Sequence, residues 1–307
     1  MQNKAHILQR IGLGTAQFGS AYGIANQRGK IPESETHEIL QWAQSQQISV
    51  LDTAAAYGHT EEILGRLRDK SPLNFKIVSK AADLESEKNS LRGNLEKTLS
   101  RLRQKSIYGY LIHHFNNFLK QEGLSHDLKK LKQEGLVEKI GFSLYHPQEL
   151  EYLLDHQIDF DMIQVPYNIF DQRFEPYFPL LVERNIEIHT RSVFLQGLFF
   201  LNNQQIKASL SAAWPQLKKL QDISAQAGIP LSYVCLCFVL LNPFIDYIII
   251  GVDSIDQLKQ NLRFAEYMAP VKSIYRELCS LSIDNEDILL PFRWHSQTEP
   301  SRIDGKS

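Results

Sequence analysis

Apolar residues along this chain fall into two alternating textures: short runs rich in Ile, Val, Leu, Phe and Tyr, and longer stretches where apolar positions recur every three or four residues. The short runs predict strands at 11–15, 48–52, 75–79, 108–112, 138–142, 161–165, 186–190 and 245–250. The longer stretches predict helices over 33–46, opened by Pro32-Glu33-Ser34-Glu35, and over 88–104, where Leu91, Leu95, Leu99 and Leu102 share a face. Further helices are expected over 125–135, 147–156, 176–184 and 208–228, and Ser254 caps another that runs from 254 to 262. Alternation of this kind argues a parallel sheet, and eight units in about 260 residues argue an α/β fold closed as a (β/α)8 TIM barrel. The competing open nucleotide-binding sheet needs a glycine-rich turn that opens into a helix after its first strand. Gly12-Leu13-Gly14-Thr15-Ala16-Gln17-Phe18-Gly19 has the glycines, but Gly23, Gly29 and Pro32 follow, so no helix is expected there.

No Pro/Gly/Ser-rich linker interrupts the pattern, which reads as one domain over 1–307. Two parts exceed a minimal barrel: 191–207 with the extra helical pattern at 231–241, and a C-terminal tail over 268–307. Long loops and tails at the carboxyl end of a barrel commonly cover its ligand. Trp294 and His295 are therefore candidate lid residues, with packing of the tail against the outer helices as the alternative.

Composition narrows the class without changing the fold. The chain has 307 residues, 43% hydrophobic and 22% charged, with a net charge of -2. That balance gives no electrostatic reason to expect nucleic acid or an anionic membrane as partner. Cys235, Cys237 and Cys279 are an odd number, and the first two sit in the apolar run 231–241, so they read as buried thiols. Residues 1–6 lack the apolar core of a signal peptide, and no stretch reaches the roughly 18 apolar residues of a membrane span. The expectation is a cytoplasmic protein, a monomer or weak homo-oligomer, acting on a small molecule.

Candidate chemistry gathers at strand ends. Asp52, Tyr57, Lys80 and His113 stand at or just past the ends of three consecutive runs, and neighbouring parallel strands about 4.8 Å apart would bring them to one face. A cation favours phenolate, so Lys80 would draw the Tyr57 pKa down from about 10, and a tyrosine tuned in that way serves as general acid or base. Singly, each has a plainer use: Asp52 as a helix cap, Lys80 as a solvated strand end, Tyr57 as a packing aromatic. His113-His114 suggests a metal site, but successive strand side chains point to opposite faces, so a doublet cannot place both rings inside the barrel. No metal is expected.

From about Ile11 to about Phe264 the chain resembles the aldo-keto reductases. Asp52-Thr53-Ala54-Ala55-Ala56-Tyr57-Gly58, with Glu61 and Gly65 after it, is similar to that family's first signature. Lys80 and His113 match the rest of its catalytic tetrad; Gly141-Phe142-Ser143, Gln164-Val165-Pro166-Tyr167-Asn168 and the stretch from Gly251 to Asn261 match further segments. The resemblance implies that a reduced nicotinamide gives hydride to an aldehyde or ketone while Tyr57 protonates the developing alkoxide. Lys80, held by Asp52, would tune Tyr57, and His113 would orient the carbonyl. It implies cofactor contacts from Gly14, Thr15, Ala16, Asp52, Ser143, Gln164, Arg191, Ser192, Gly251, Val252, Asp253, Gln257 and Asn261. Phe18, Tyr22, His114, Tyr145 and Phe194 would wall the substrate pocket.

Three departures bear on the cofactor. Leu144 stands where many members have asparagine, and Arg191 where a tyrosine often stacks on the nicotinamide, a role a guanidinium plane can also fill. The 251–257 turn lacks the cations that a 2′-phosphate prefers, with Lys259 and Arg263 as possible substitutes. Family habit still implies NADPH, with NADH as the alternative. Two other functions compete: a cofactor-binding regulatory or scaffold protein with slow turnover, and a Schiff-base aldolase using Lys80. The aldolase leaves Asp52, Gln164 and the last cofactor turn without a purpose.

Overall fold

The computed structural model describes residues 7–81, 84 and 90–295; the start of the helix expected at 88, most of the 81–87 loop and the tail beyond 295 lie outside the described residues. Eight parallel strands form a closed barrel in chain order: β1 Ile11–Gly14, β2 Val50–Asp52, β3 Lys76–Ala81, β4 Ile107–Ile112, β5 Val137–Ser143, β6 Met162–Pro166, β7 Glu187–Arg191 and β8 Tyr247–Ile250. Each expected strand is present within a few residues. The (β/α)8 class read from the alternation is the observed one. Because the strands carry helices outside and side chains inside, both faces are apolar. Val50, Val78, Leu111, Met162 and Ile249 fill the barrel, while a larger cluster lies between strands and helices.

The helical ring is α1 Glu33–Ser45, α2 Thr60–Lys70, α3 Leu91–Leu102, α4 Leu124–Gln133, α5 Pro147–Asp155, α6 Phe178–Glu183, α7 Trp214–Gln226, α8 Leu231–Leu241 and α9 Ile255–Asn261. The helix α2 was absent from the expected set, although Ile63, Leu64 and Leu67 make a buried face at helical spacing. Its interior Gly65 has a packing reason, since a Cβ there would collide with the Arg101 carbonyl of α3. Buried Glu61 ties the same helix inward, accepting from Ser79 Oγ at 2.7 Å and from Arg101 Nη1 at 3.4 Å. The glycine-rich segment after β1 does carry one helical turn, Ala16–Gly19, contrary to expectation. The pattern at 208–228 divides into a 3-10 turn, Ala208–Ala213, and α7, with Pro215 at the start of the second piece.

The tail folds as α10 Met268–Cys279 and two short turns, Glu286–Leu289 and Pro291–His295. It reaches the carboxyl rim: Glu286 pairs with His146 Nδ1 at 2.7 Å and Arg173 at 3.3 Å, and Phe292 meets the Tyr145 ring edge-on at 5.1 Å. Trp294 is not a lid. Its ring is 2% exposed and its indole N–H donates to the Ile288 carbonyl at 3.2 Å.

The amino-terminal floor of the barrel is ionic. Glu187 accepts from Tyr108 Oη at 2.7 Å and meets His189 Nε2 at 2.6 Å, with Lys139 beside it. Burial would raise this carboxyl, but the bonds from His189, Lys139 and Tyr108 win and hold it at about 2. A folded-state pKa below the unfolded value stabilises above the unfolded value and is lost as pH falls toward the folded one. Glu187→Gln should therefore cost on the order of 3 kcal/mol at neutral pH and much less near pH ~2.5. Urea midpoints of both proteins across that range check this, and a constant difference would refute it.

Candidate active site

Strand register brings the tetrad together. Gly14 is opposite Asp52, Asp52 opposite Val78, and Lys80 opposite Leu111, so the ends of β1 to β4 share one level. Lys80 is 1% exposed and Asp52 4%. The ammonium donates to both Asp52 oxygens, at 2.6 and 2.8 Å, and to the Thr53 carbonyl at 3.0 Å, which uses all three of its protons. Asp52 Oδ1 also accepts from Gln164 Nε2 at 2.7 Å. An amine engaged in this way is not free to attack a carbonyl, which removes the ground for a Schiff-base aldolase.

Tyr57 follows on the loop after β2, its ring edge-on to His113 at 6.0 Å and 5.2 Å from Lys80 Nζ. Its pKa is not drawn down as the sequence suggested. Burial raises it, the Asp52 carboxylate raises it further, and Arg191 offsets part of this. The physical reason is first burial of the phenol; Lys80 is bonded to Asp52 and the Thr53 carbonyl. Burial lowers Lys80 itself against the opposing pull of Asp52. His113 lies well below the ordinary imidazole range through burial first, then the nearby Lys80, His114 and Arg191 charges. Both shifts favour the uncharged forms, a phenol beside an imidazole.

The doublet behaves differently from a regular strand. β4 ends at Ile112, so alternation no longer governs the next two residues, and the His113 and His114 rings stack at 4.5 Å. His114 is exposed and does not wall the cavity.

A solvent-open cleft lies at this level, bounded by the ends of β1, β2, β7 and β8 and the loops that follow them. Of the expected residues, Gly14, Thr15, Ala16, Tyr22, Asp52, Tyr57, Arg191, Ser192, Phe194, Gly251, Asp253 and Gln257 line it. Phe18 does not: it is fully buried in the apolar core, where the turn after β1 packs it. Val252 is likewise buried, and Tyr145 lies under Arg191, whose guanidinium is 4.1 Å from the ring centre. Arg191 also donates to the Leu144 carbonyl at 3.1 Å and so spans from β7 to the end of β5. Ser143 and Gln164, paired in register, are buried.

Residues the sequence did not single out close the cleft. Gln196 Nε2 donates to Tyr22 Oη at 2.7 Å, and the Gln196 carbonyl accepts from Ile24 N–H at 3.1 Å, so the loops after β1 and β7 meet. Gly197, at φ +94, lets them meet, since a Cβ there would lie 2.5 Å from Ala25. The available signal was only Gly197 itself; aperiodic loops carry no pattern that says what they touch.

Two buried carboxamides carry an unpartnered atom, Gln164 bonded to the cleft residue Asp52 and Asn261 at the end of α9. Gln164 Oε1 and Asn261 Nδ2 have no hydrogen-bond partner. A buried acceptor without a partner costs about 1–3 kcal/mol, and a carboxamide N–H is a matching donor. The backbones of Gly14 and Gly251 come close together, and a Cβ on Gly251 would lie 2.6 Å from the Gln17 amide. These residues fit a nicotinamide dinucleotide.

Known proteins share this barrel and much of its sequence length. The model of the aldo/keto reductase family matches residues 10–276. An oxidoreductase of Bacillus subtilis, YqkF, is 25% identical over 280 residues, covering 84% of this chain and 87% of that one. L-galactose dehydrogenase of Arabidopsis thaliana is 23% identical over 302 residues, covering 91% and 88%. In the fold, the aldo-keto reductase AKR11C1 from Bacillus halodurans in its holo form superposes with a TM-score of 0.70 at 21% identity, covering 91% of this chain and 95% of that one.

The closed barrel and the relatives together define an oxidoreductase class. The chain belongs to the aldo/keto reductase family, whose members are NAD(P)H-dependent oxidoreductases. Among the described residues no single helix is long and apolar enough to cross a membrane.

Proposed function

We propose that this protein reduces an aldehyde or ketone to the alcohol, with Tyr57 as the proton donor. The observation that carries this reading is geometric: Tyr57 lines the cleft with the Asp52–Lys80 pair on one side, Nζ 5.2 Å from its ring, and His113 on the other. Reduction needs a donor that still holds its proton, and a phenol does so at neutral pH. Hydride is the chemistry the dinucleotide supplies when bound, and Ser143, Gln164, Arg191, Gly14, Gly251 and Asn261 are the residues that would hold it. Tyr57 gives its proton to the carbonyl oxygen as negative charge grows there. Neutral His113 offers a second hydrogen bond to that oxygen, and the Asp52–Lys80 pair fixes the local field in which both act. Tyr22, Phe194 and Phe200 give the mouth an aromatic lining, suited to a carbonyl with an apolar substituent.

Titrating the protein with NADH and NADPH by fluorescence, followed by a panel of aldehydes, ketones and sugars with reduced cofactor consumption as readout, tests this. At least one dinucleotide should bind, and at least one carbonyl should oxidise it. Failure of both dinucleotides to bind would refute the reading.

A further inference from the structure

We propose that the protein selects NADH over NADPH, through an acidic clamp in which Glu35, Asp253 and Asp256 surround Arg28 at the end of the cleft away from Tyr57. The proposal rests on the dinucleotide reading above and replaces the NADPH implied by family habit.

The cleft has one reactive end. Hydride must be delivered beside Tyr57, Asp52 and Arg191, so the adenosine half of a dinucleotide falls toward Asp253 and Gln257, on the turn between β8 and α9. Asn261, with its buried unpartnered amide nitrogen, closes the same helix. A 2′-phosphate would bring a charge of about -1.5 to -2 to this end, where a ribose 2′-hydroxyl brings none. Among the described residues that line the cleft, Arg191 is the one cation, and it sits at the reactive end.

Arg28 does not line the cleft but adjoins its other end through Asp253, and its guanidinium is paired with a protein acid. Its two terminal nitrogens donate to the two Glu35 oxygens at 3.1 and 2.9 Å, and Nη1 also donates to the Asp253 carbonyl at 2.7 Å. Asp253 and Asp256 add their negative field to the same guanidinium. One positive charge against three carboxylates leaves the cluster at -2.

The neighbouring backbone donors are taken as well. Ile255 N–H donates to Glu35 at 3.3 Å, Gln257 N–H to Ser254 Oγ at 3.1 Å, and Asp253 N–H to Gln257 Oε1 at 2.6 Å. A phosphate entering here would have to displace Glu35 from a two-pronged pair and remain among the other carboxylates. A ribose hydroxyl instead finds carboxylate acceptors for its proton. Lys30, Lys259 and Arg263 are exposed and do not line the cleft; of the clamp only Asp253 lines it, and Arg28 is bonded to the Asp253 carbonyl.

The test is the ratio of dissociation constants for NADPH and NADH, read by fluorescence at low salt. In the native protein NADPH should bind about tenfold or more weakly than NADH, and the gap should narrow as ionic strength rises and screens the exposed acids. Glu35→Gln frees Arg28 and removes one negative charge, and should shift the ratio about tenfold toward NADPH. Asp256→Asn, at an exposed position, should shift it in the same direction by a smaller factor. NADPH binding as tightly as NADH, or tighter, in the native protein overturns the selectivity. A native preference for NADH that neither variant moves overturns the clamp. Absence of binding by both dinucleotides overturns the oxidoreductase reading itself, a separate result.

Discussion

Replacing Tyr57 by phenylalanine is expected to lower kcat for carbonyl reduction by about 10²- to 10⁴-fold, the usual contribution of a positioned general acid. The ring stays, with its edge contact to His113 at 6.0 Å, so the pocket keeps its shape and only the proton is removed. Dinucleotide affinity should change by less than about threefold, because an interaction made only in the transition state lowers kcat without altering ground-state binding. The sign of the pH dependence follows from the raised phenol pKa. The donor keeps its proton through roughly pH 9, so the reductive rate should show no alkaline fall from Tyr57 in that range, and the native and variant profiles should run parallel there. A variant with full reductase activity would refute the mechanism while leaving the fold untouched.

Lys80→Met is expected to be the most destabilising single change at the site, by about 3–5 kcal/mol in urea unfolding. Both members of the pair are almost fully buried, and Lys80 supplies two of the bonds that Asp52 accepts. Removing the cation leaves a carboxylate in the barrel with Gln164 as its remaining side-chain donor. Asp52→Asn in the same chain removes the stranded charge, so the double variant should recover much of the lost stability while reductase activity stays low. A double variant no more stable than Lys80→Met would show that the cost lies in packing and not in the unpaired charge.

The tetrad could be read early because a parallel sheet converts sequence position into spatial position. Any residue that ends a strand is near the residues that end its neighbours, whatever lies between them. The segment from Gln164 to Asn168 illustrates the same economy: Gln164 reaches Asp52, and Asn168 Oδ1 accepts from Phe170 N–H while its Nδ2 holds the Ser192 carbonyl at 3.0 Å. Side chains beyond the strands did not follow from position. Phe18 lies beside the glycines that approach the cofactor cleft, but the turn Ala16–Gly19 rotates its ring into the core. His114 leaves the alternation of β4 because the strand has already ended.

The acidic clamp was the least accessible to sequence reading. Arg28 and Asp253 are 225 positions apart, and neither lies in a periodic element. The missing cations of the 251–257 turn were visible; the three carboxylates around the nearest arginine were not.

The chain's own pattern determined the eight alternating units, the closure of the barrel and the level at which four polar side chains meet. Hydrophobic periodicity and strand spacing are local quantities, and they suffice for that. Only the tertiary structure decided the surroundings of Tyr57, since burial of the phenol and the charges placed beside it depend on how the chain packs. Three hydrogen bonds of 3.0 Å or less commit the Lys80 ammonium to Asp52 and the Thr53 carbonyl, a pairing that strand ends alone do not specify.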